Sequence, residues 1–267
     1  MRDRYAVIGN PVAHSRSPWI HSRFALQTGE DIGYEPLIAP LDGFAATVEA
    51  FRAAGGKGVN VTLPFKEGAC SISTHLSERA RAAQAANTLI FSDAGIRGDN
   101  TDGYGLVRDL AVNLGFAIQG RRVLLAGAGG AARGVLLPLL GERPAALVIV
   151  NRDIDKGRAL AGRFPGISAC GYADLAGERF DLVINATSAG LADAPLPLPA
   201  AIFLAGSLAY EMVFGRDTAF MRQARADGAA RVSDGAGMLV EQAAESFFLW
   251  RGVRPETASV LSALRAA

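Results

Sequence analysis

The sequence has few cysteines and no excess charge of either sign. Among 267 residues there are 2 cysteines and 3 histidines, and the formal net charge is +1. Cys70 and Cys170 are far apart and belong to no CxxC or Cys/His cluster, so we expect neither a bound metal nor a disulfide framework. No block of Lys and Arg is interleaved with aromatic residues. Nucleic acid is therefore excluded as an expected partner.

Long hydrophobic runs are also missing. No apolar run reaches the length of a membrane-spanning helix, and "MRDRYAVIGNP" at the N-terminus lacks the apolar stretch of a signal peptide. We therefore expect a cytoplasmic protein that does not bind a membrane. Hydrophobic residues make up 50% of the chain and charged residues 20%, which is typical of a globular protein with a sizeable core.

Short runs rich in Val and Ile alternate with segments of helical period along most of the chain. This alternation predicts an α/β fold. The expected strands lie near "RYAVIG", "GYEPLIA", "KGVNVTL" and "NTLIF", and later near "RVLLAG", "ALVIVN", "FDLVINAT" and "SLAYEMV".

The stretch "GDNTDG" interrupts this alternation and predicts a domain boundary. The expected first domain covers residues 1–102 and the second covers residues 103–235. Two helical stretches with no strand of their own follow within residues 236–267, and we expect them to pack back on the first domain.

A glycine-rich turn stands between a predicted strand and a predicted helix in "RRVLLAGAGGAARGVLLPLL". Gly127, Gly129 and Ala132 form the pattern G-x-G-x-x-A, which predicts dinucleotide binding. The first glycine permits a tight turn, the second lets the backbone approach a pyrophosphate, and the small third residue lets helix and strand pack closely. A plain strand-to-helix turn remains the alternative. Pro138 inside the proposed helix predicts a kink or an early end.

The residues after the next strand bear on which nucleotide binds. Asn151 and Arg152 follow "ALVIV", where NAD-binding domains commonly carry an acid for the ribose hydroxyl. A guanidinium can hold a 2′-phosphate through two hydrogen bonds, so NADP is the first choice, with Lys156 as a second cation. Asp153 argues against NADP, because a carboxylate there would repel the phosphate. Alternatively, "NRDIDKG" is only a solvated helix start.

Two serines precede a predicted helix in "GNPVAHSRSPWIH". If residues 15–17 are extended, the hydroxyls of Ser15 and Ser17 point to one side, beside the amide groups of the helix N-terminus. Such an arrangement would bind a substrate carboxylate. The alternative is that Ser17 only caps the helix and Ser15 is a surface turn residue.

Lys66 follows an apolar strand and a proline in "NVTLPFKEG". A partly desolvated lysine titrates more easily than one in water and can exchange a proton with a substrate hydroxyl. Its expected partner is Asp102 in "GDNTDG". Taken separately, Lys66 could be a surface residue and Asp102 a helix-start acid.

The strand before Lys66 alternates in character. The pattern predicts that Val59, Val61 and Leu63 are buried on one side. Thr62 then faces the other side, where Lys66 is also expected.

Eight segments together resemble the shikimate dehydrogenase family in order and over almost the full length. They are "GNPVAHSRSP", "NVTLPFK", "AANTL", "GDNTDG", "GAGGAARG", "NRD", "NATSAG" and "DGAGMLVEQAAESF". The resemblance implies a substrate domain at residues 1–102, completed by residues 236–267, and a Rossmann-type NADP domain at residues 103–235. It also implies NADPH-dependent reduction of 3-dehydroshikimate to shikimate in aromatic amino acid biosynthesis, an oxidoreductase activity.

The resemblance also assigns roles to residues of the first domain. Lys66 and Asp102 match the catalytic pair, and Ser15 and Ser17 match positions that bind the substrate carboxylate. Positions that hold ring hydroxyls are matched by Thr62, Asn87 and Gln242.

The cofactor positions implied by the resemblance lie in the second domain. They include the glycine-rich turn, the adenosine-phosphate motif and two positions near the nicotinamide. These residues are Gly127, Ala128, Gly129, Gly130, Ala131, Asn151, Arg152, Lys156, Met212 and Gly235.

Two positions depart from the family pattern. Phe214 replaces the usual tyrosine after Met212, which removes a hydroxyl contact to substrate, and Asp153 replaces a common threonine. An NAD-using quinate or shikimate dehydrogenase paralogue and a non-catalytic nucleotide-sensing relative therefore stay open as alternatives. A homodimer also stays open, because the sequence does not specify the oligomeric state.

Overall fold

The computed structural model describes residues 2–266, which form two compact units. One unit consists of Met1–Gly105 and Leu239–Ala267, and the other of Leu106–Met238. The two units are described in turn.

The first unit contains a mixed six-stranded sheet in the order β2-β1-β3-β5-β6-β4. β1 pairs in parallel with β2 and β3, whereas β5 is antiparallel to both β3 and β6. The strands are β1 (Asp3–Gly9), β2 (Ile32–Ile38), β3 (Gly56–Val61), β4 (His75–Leu76), β5 (Thr88–Ser92) and β6 (Gly95–Asp99).

Four helices connect these strands, and three more lie wholly or partly within this unit. They are α1 (Ser17–Thr28), α2 (Phe44–Ala53), α3 (Lys66–Ile72), α4 (Glu78–Ala83), α5 (Asp102–Arg108), α10 (Ala236–Arg251) and α11 (Ala258–Ala266). Helix α5 begins within "GDNTDG" and is followed by a π-helical turn at Asp109–Asn113.

The C-terminal helix α10 packs on the sheet of the first unit, as predicted. The indole Nε1 of Trp250 donates a hydrogen bond to the backbone carbonyl of Leu89 on β5 (3.1 Å), and its ring lies 4.6 Å from that of Tyr5 on β1. The guanidinium of Arg251 forms ion pairs with Asp3 and Glu30. These contacts fix the end of α10 against β1 and the segment that follows α1.

The second unit contains a parallel six-stranded sheet in the order β12-β11-β10-β7-β8-β9. This is the strand order of a Rossmann fold, with its switch point between β7 and β10. The strands are β7 (Arg122–Ala126), β8 (Ala146–Val150), β9 (Ile167–Cys170), β10 (Phe180–Asn185), β11 (Phe203–Glu211) and β12 (Arg231–Ser233). The helices are α6 (Gly130–Gly141), α7 (Ile154–Ala161), α8 (Ala189–Ala192) and α9 (Ala219–Ala226).

Several local predictions were wrong. β3 ends at Val61, so the alternation stops there and Leu63 is 64% exposed instead of buried. Helix α6 continues through Pro138 to Gly141, so the early end was wrong, whereas the kink given as the other outcome stays a prediction. Val135 and Leu139 on either side of this proline are fully buried, and their packing outweighs the lost backbone hydrogen bond. Four short strands, β4, β6, β9 and β12, were not predicted.

Within residues 2–266, no helix is long and apolar enough to cross a membrane.

The first unit contains a buried histidine that packs against strand β2. His21 on α1 is fully buried, and its ring stacks on that of Tyr34 at 4.2 Å and lies 5.4 Å from that of Trp250. In the described part of the chain, neither of its ring nitrogens has a hydrogen-bond partner. Burial lowers the pKa of His21 to about 3, and a weaker effect of the nearby Asn60 side chain opposes this shift.

We predict that His21 makes the protein less stable as the pH falls. The unfolded chain takes up a proton near the ordinary histidine pKa, whereas the folded chain does not until about 3. The stabilisation from neutral His21 is therefore fully present above the ordinary histidine pKa and is lost as the pH falls towards about 3. Between about pH 7 and about pH 5 the loss should be about 2 kcal/mol.

Urea unfolding at several pH values measures this loss. His21→Phe keeps an aromatic ring but does not titrate, so it should remove most of this pH dependence. His75→Phe, at an exposed histidine on β4, is the matched control and should leave it unchanged. If the free energy of unfolding changes equally with pH in the two variants, His21 is not the cause of the pH dependence.

Candidate active site

Lys66 and Asp102 form a partly buried ion pair. Lys66 is the first residue of α3, and Asp102 is the first residue of α5. The Lys66 Nζ lies 2.5 Å from Asp102 Oδ2, with 23% of the lysine side chain and 9% of the aspartate side chain exposed. Such a pair holds the ammonium in one place while leaving it accessible from solvent. The pairing expected from the sequence is present, although Lys66 begins a helix.

Asn87 joins this pair to a residue on α10. Its amide Nδ2 lies 2.8 Å from Asp102 Oδ1 and 3.2 Å from Gln242 Oε1. The backbone N–H of Ala86 donates to the carbonyl of Lys66 (2.9 Å), which fixes the start of α3 beside the start of β5. Residues 66, 87, 102 and 242 thus form one hydrogen-bonded cluster, although they are distant in sequence.

A second layer of polar groups supports this cluster and was not predicted. The hydroxyl of Thr101 lies 2.9 Å from Asn87 Nδ2, and that of Ser246 lies 3.2 Å from Thr101 Oγ1. Asn60 on β3 is buried and donates to Ser246 Oγ (3.0 Å). Buried polar groups normally have partners of this kind, and such networks fix side-chain orientation. The one sequence signal for this layer was Asn60, a polar residue inside an apolar strand.

Ser15 and Ser17 lie close together, but not in the geometry predicted. The backbone at Arg16 is helical rather than extended, so the premise that residues 15–17 are extended was wrong. Ser17 is the first residue of α1, and its side chain makes no capping bond, so the alternative of a capping serine was also wrong. Instead, the Ser17 N–H donates to Ser15 Oγ (3.2 Å). The Ser15 hydroxyl proton stays available for a ligand.

Thr62 lies outside the hydrogen-bonded cluster of residues 66, 87, 102 and 242. It follows β3, and its backbone N–H donates to the carbonyl of Ile8 (2.9 Å). Within residues 2–266 its side chain forms no hydrogen bond with Lys66 or Asn87. Its role in the site therefore stays a prediction.

The glycine-rich turn of the second unit joins β7 to α6. Gly127 has φ +114°, and a Cβ there would lie 3.0 Å from the carbonyl oxygen of Ala186, so only glycine fits without strain. Gly129 is the N-cap of α6, with no side-chain cap and open space where a Cβ would stand. Ala128, Gly130 and Ala131 complete the turn, and Ala132 is fully buried as predicted.

This turn fits a dinucleotide. The first amide groups of α6 have no side-chain cap, and the backbone at Gly129 is open to solvent. Helix N-termini of this kind bind phosphate through N–H groups and the helix dipole. The geometry matches the pyrophosphate site of Rossmann folds.

The segment after β8 carries the predicted adenosine-phosphate residues. Asn151 Nδ2 donates to the carbonyl of Asp153 (2.7 Å), and Asp153 Oδ1 accepts from the N–H of Lys156 (3.3 Å) as the N-cap of α7. The Lys156 Nζ also lies 3.5 Å from Asp153 Oδ2. Arg152 is exposed and lies close enough to Tyr172 to offset part of the rise in the pKa of that phenol, which burial causes.

Met212 and Gly235 are in direct contact. A Cβ on Gly235 would lie 2.3 Å from the carbonyl oxygen of Met212, and the Gly235 N–H donates to the carbonyl of Val213 (3.1 Å). Any side chain at position 235 would push these two segments apart. Phe214 is partly exposed beside them.

No cluster of metal ligands is present among residues 2–266: no group of three or more His, Cys, Asp or Glu side chains could hold a metal ion. No disulfide joins Cys70 and Cys170.

Three family models match separate parts of the chain. The shikimate dehydrogenase substrate-binding domain matches residues 7–89, and shikimate / quinate 5-dehydrogenase matches residues 109–192. The shikimate 5′-dehydrogenase C-terminal domain matches residues 235–265.

Relatives and solved structures match over nearly the full length. The shikimate dehydrogenase (NADP(+)) of Nitrosospira multiformis is 60% identical over 271 residues, covering 100% of this chain and 98% of that protein. The crystal structure of an Ael1 enzyme from Pseudomonas putida is 50% identical, with a TM-score of 0.94 and 98% of each chain covered. A shikimate 5-dehydrogenase from Thermus thermophilus, solved with NADP(H) and shikimate, is 34% identical, with a TM-score of 0.89 and 99% of each chain covered. By sequence and by structure, the chain belongs to the shikimate dehydrogenase family.

Proposed function

We propose that this protein catalyses the reversible NADPH-dependent reduction of 3-dehydroshikimate to shikimate, a step of aromatic amino acid biosynthesis. The observation that carries the proposal is the Lys66–Asp102 ion pair, bonded to Asn87, in a chain 60% identical to a shikimate dehydrogenase (NADP(+)). No disulfide joins the two cysteines, which favours a reducing compartment, so we place the enzyme in the cytoplasm.

Lys66 acts as the general acid in this proposal. Its ammonium donates a proton to the ketone oxygen, which becomes a hydroxyl, and the neutral amine regains a proton from solvent. Asp102 accepts a hydrogen bond from Lys66 and another from Asn87, so the Lys66 nitrogen keeps its place before and after the transfer. Bound NADPH supplies the hydride. In the reverse direction the neutral amine of Lys66 removes the hydroxyl proton.

The remaining residues of the first unit bind substrate. Ser15 and Ser17 bind the carboxylate, since within residues 2–266 the Ser15 oxygen accepts from the Ser17 N–H and its hydroxyl proton has no acceptor. Asn87, Gln242 and Thr62 hold the ring hydroxyls. The first unit is thus the substrate-binding domain, and Leu106–Met238 is the NADP-binding domain.

In the second unit, different residues would hold different parts of NADP. Gly127, Ala128, Gly129, Gly130 and Ala131 hold the pyrophosphate at the start of α6. Asn151, Arg152 and Lys156 hold the adenosine phosphate, and Met212 with Gly235 contacts the nicotinamide.

Asp153 favours a second candidate, an NAD-using shikimate or quinate dehydrogenase. Its carboxylate caps α7 and pairs with Lys156, so it occupies one of the cations expected to bind the 2′-phosphate. Steady-state rates with shikimate or quinate, each with NADP⁺ or NAD⁺, separate the candidates. Fastest turnover with shikimate and NADP⁺ supports our proposal, and fastest turnover with quinate or NAD⁺ contradicts it.

Replacing Lys66 by alanine should lower kcat strongly with little change in KM for shikimate. The substitution removes the proton donor but leaves the carboxylate and hydroxyl contacts, and general acid–base catalysis contributes roughly a hundredfold or more. Steady-state kinetics in the oxidative direction measures both constants. Lys57→Ala, at an exposed lysine on β3, is the matched control and should behave as wild type. A Lys66→Ala enzyme with near-normal kcat would remove this lysine from the chemistry.

Replacing Ser15 by alanine should instead raise KM for shikimate, roughly tenfold, and leave kcat almost unchanged. A hydroxyl that donates to a carboxylate forms a charge-assisted hydrogen bond in both the ground state and the transition state. The same assay with Ser22→Ala, at an exposed serine of α1, gives the baseline. A fall in kcat with unchanged KM would contradict a role in binding.

Replacing Asp153 by serine should increase the preference for NADP⁺ over NAD⁺ several-fold. Serine also caps helices well, so α7 is retained, while Lys156 loses its ion-pair partner and the repulsive carboxylate is gone. The ratio of kcat/KM for the two cofactors measures the effect. Asp155→Ser removes another exposed acid from the first turn of the same helix and should leave the ratio unchanged. An unchanged ratio for Asp153→Ser would mean that this residue does not face the 2′-phosphate.

A further inference from the structure

A buried carboxylate ends strand β11 in the second unit. The side chain of Glu211 has no exposed surface. Its Oε2 accepts from Asn185 Nδ2 (2.8 Å) and Thr218 Oγ1 (2.9 Å), and its Oε1 accepts from the N–H of Val213 (3.1 Å). In the part of the chain the structure describes, no Lys or Arg forms an ion pair with it. Burial raises the pKa of Glu211, and these three hydrogen bonds oppose the rise.

The three partners of Glu211 come from three different segments. Asn185 ends β10, Val213 lies in the turn after β11, and Thr218 is the N-cap of α9. All three donate, so the arrangement suits a carboxylate and not an amide, whose N–H₂ group would face another donor. One side chain therefore ties these segments together.

Glu211 is linked to the glycine-rich turn through Asn185 and the "NATSAG" segment that Asn185 begins. Asn185 Oδ1 accepts from the N–H (3.0 Å) and the hydroxyl (2.7 Å) of Thr187, and Thr187 Oγ1 accepts from the N–H of Ala189 (3.1 Å). A Cβ on Gly127 would lie 3.2 Å from Thr187 Cγ2. The turn that Asn185 shapes is thus packed directly on Gly127.

Glu211 also fixes the turn that carries Met212. The Met212 N–H donates to the Asn185 carbonyl (3.2 Å), and the Val213 N–H donates to the Glu211 carboxylate. Gly235 packs on this same turn, through the Met212 and Val213 carbonyls. The Glu211–Asn185 pair therefore holds both backbone segments that we assign to the pyrophosphate and nicotinamide parts of the cofactor.

We propose that Glu211 is a positioning residue for the dinucleotide. It holds the turn after β11, which carries Met212, and the turn after β10, which carries Thr187, at a fixed separation. The inference rests on the proposed function. Within residues 2–266, Glu211 forms no hydrogen bond or ion pair with the adenosine-phosphate residues, which follow β8 and are held by bonds to Asp153. Loss of this carboxylate should therefore weaken binding of the pyrophosphate and nicotinamide part of the cofactor and leave binding of the adenosine-phosphate part unchanged.

Isothermal titration calorimetry of the full chain with two ligands tests this division. NADP⁺ occupies the whole site, whereas adenosine 2′-phosphate lacks the pyrophosphate and the nicotinamide. Glu211→Gln places a donor against a donor and should weaken NADP⁺ binding roughly tenfold, with the Kd for adenosine 2′-phosphate within about twofold of wild type. Glu178→Gln, at an exposed acid of the same unit, should change neither constant.

Two outcomes would overturn the positioning role of Glu211. One is an equal loss of affinity for both ligands, which indicates general damage to the unit, and the other is no loss for NADP⁺. A wild-type protein that binds neither ligand would instead overturn the proposed function, and this inference with it.

Thr187→Val provides a second test if Glu211→Gln does not fold. It keeps Glu211 and its partners but removes the hydroxyl that joins Asn185 to Ala189. A smaller loss of NADP⁺ affinity, again with unchanged binding of adenosine 2′-phosphate, is expected. Unchanged NADP⁺ binding in this variant would contradict the link between Glu211 and the glycine-rich turn.

Discussion

The ion pair between Lys66 and Asp102 is the interaction around which the polar cluster of the first unit is built, and we propose that it carries the chemistry. An ammonium that is mostly buried requires a carboxylate beside it, and that carboxylate requires its own hydrogen-bond donors. Asn87 provides one donor and also contacts Gln242. These requirements explain why the ends of β3, β5 and β6 converge, and why a helix from the end of the chain must join them.

The second unit shows a similar arrangement around a single acid. Glu211 has no cationic partner among residues 2–266, so three separate segments supply the donors that make its burial tolerable. In both units a carboxylate organises backbone segments at the ends of strands. In the first it holds the lysine that we propose as the general acid, and in the second it holds backbone that we propose binds a cofactor.

Short apolar runs alternating with segments of helical period were sufficient to predict the α/β class, strand β7 before the glycine-rich turn and helix α6 after it. Strand β6 was not predicted because "GIRGD" has two glycines and charges in place of an alternating pattern; a Cβ at Gly98 would lie 2.4 Å from Ser73 Oγ, so packing demands that glycine. The cluster of Asn87 and Gln242 could be inferred only from a family resemblance, because local patterns carry no information on contacts between distant residues. The bonds of Glu211 had no sequence signal at all.

The return of α10 and α11 to the first unit has a consequence for biosynthesis. A ribosome releases residues 1–105 first, yet Asn60 and Leu89 in that segment have hydrogen-bond partners, Ser246 and Trp250, that are made last. The strands of Leu106–Met238 are all synthesised before α10, so that unit can fold while translation continues. A nascent chain can therefore form its Rossmann fold before Gln242 is made, and a prematurely terminated product would lack Gln242 from the hydrogen-bonded cluster around Lys66 and Asp102.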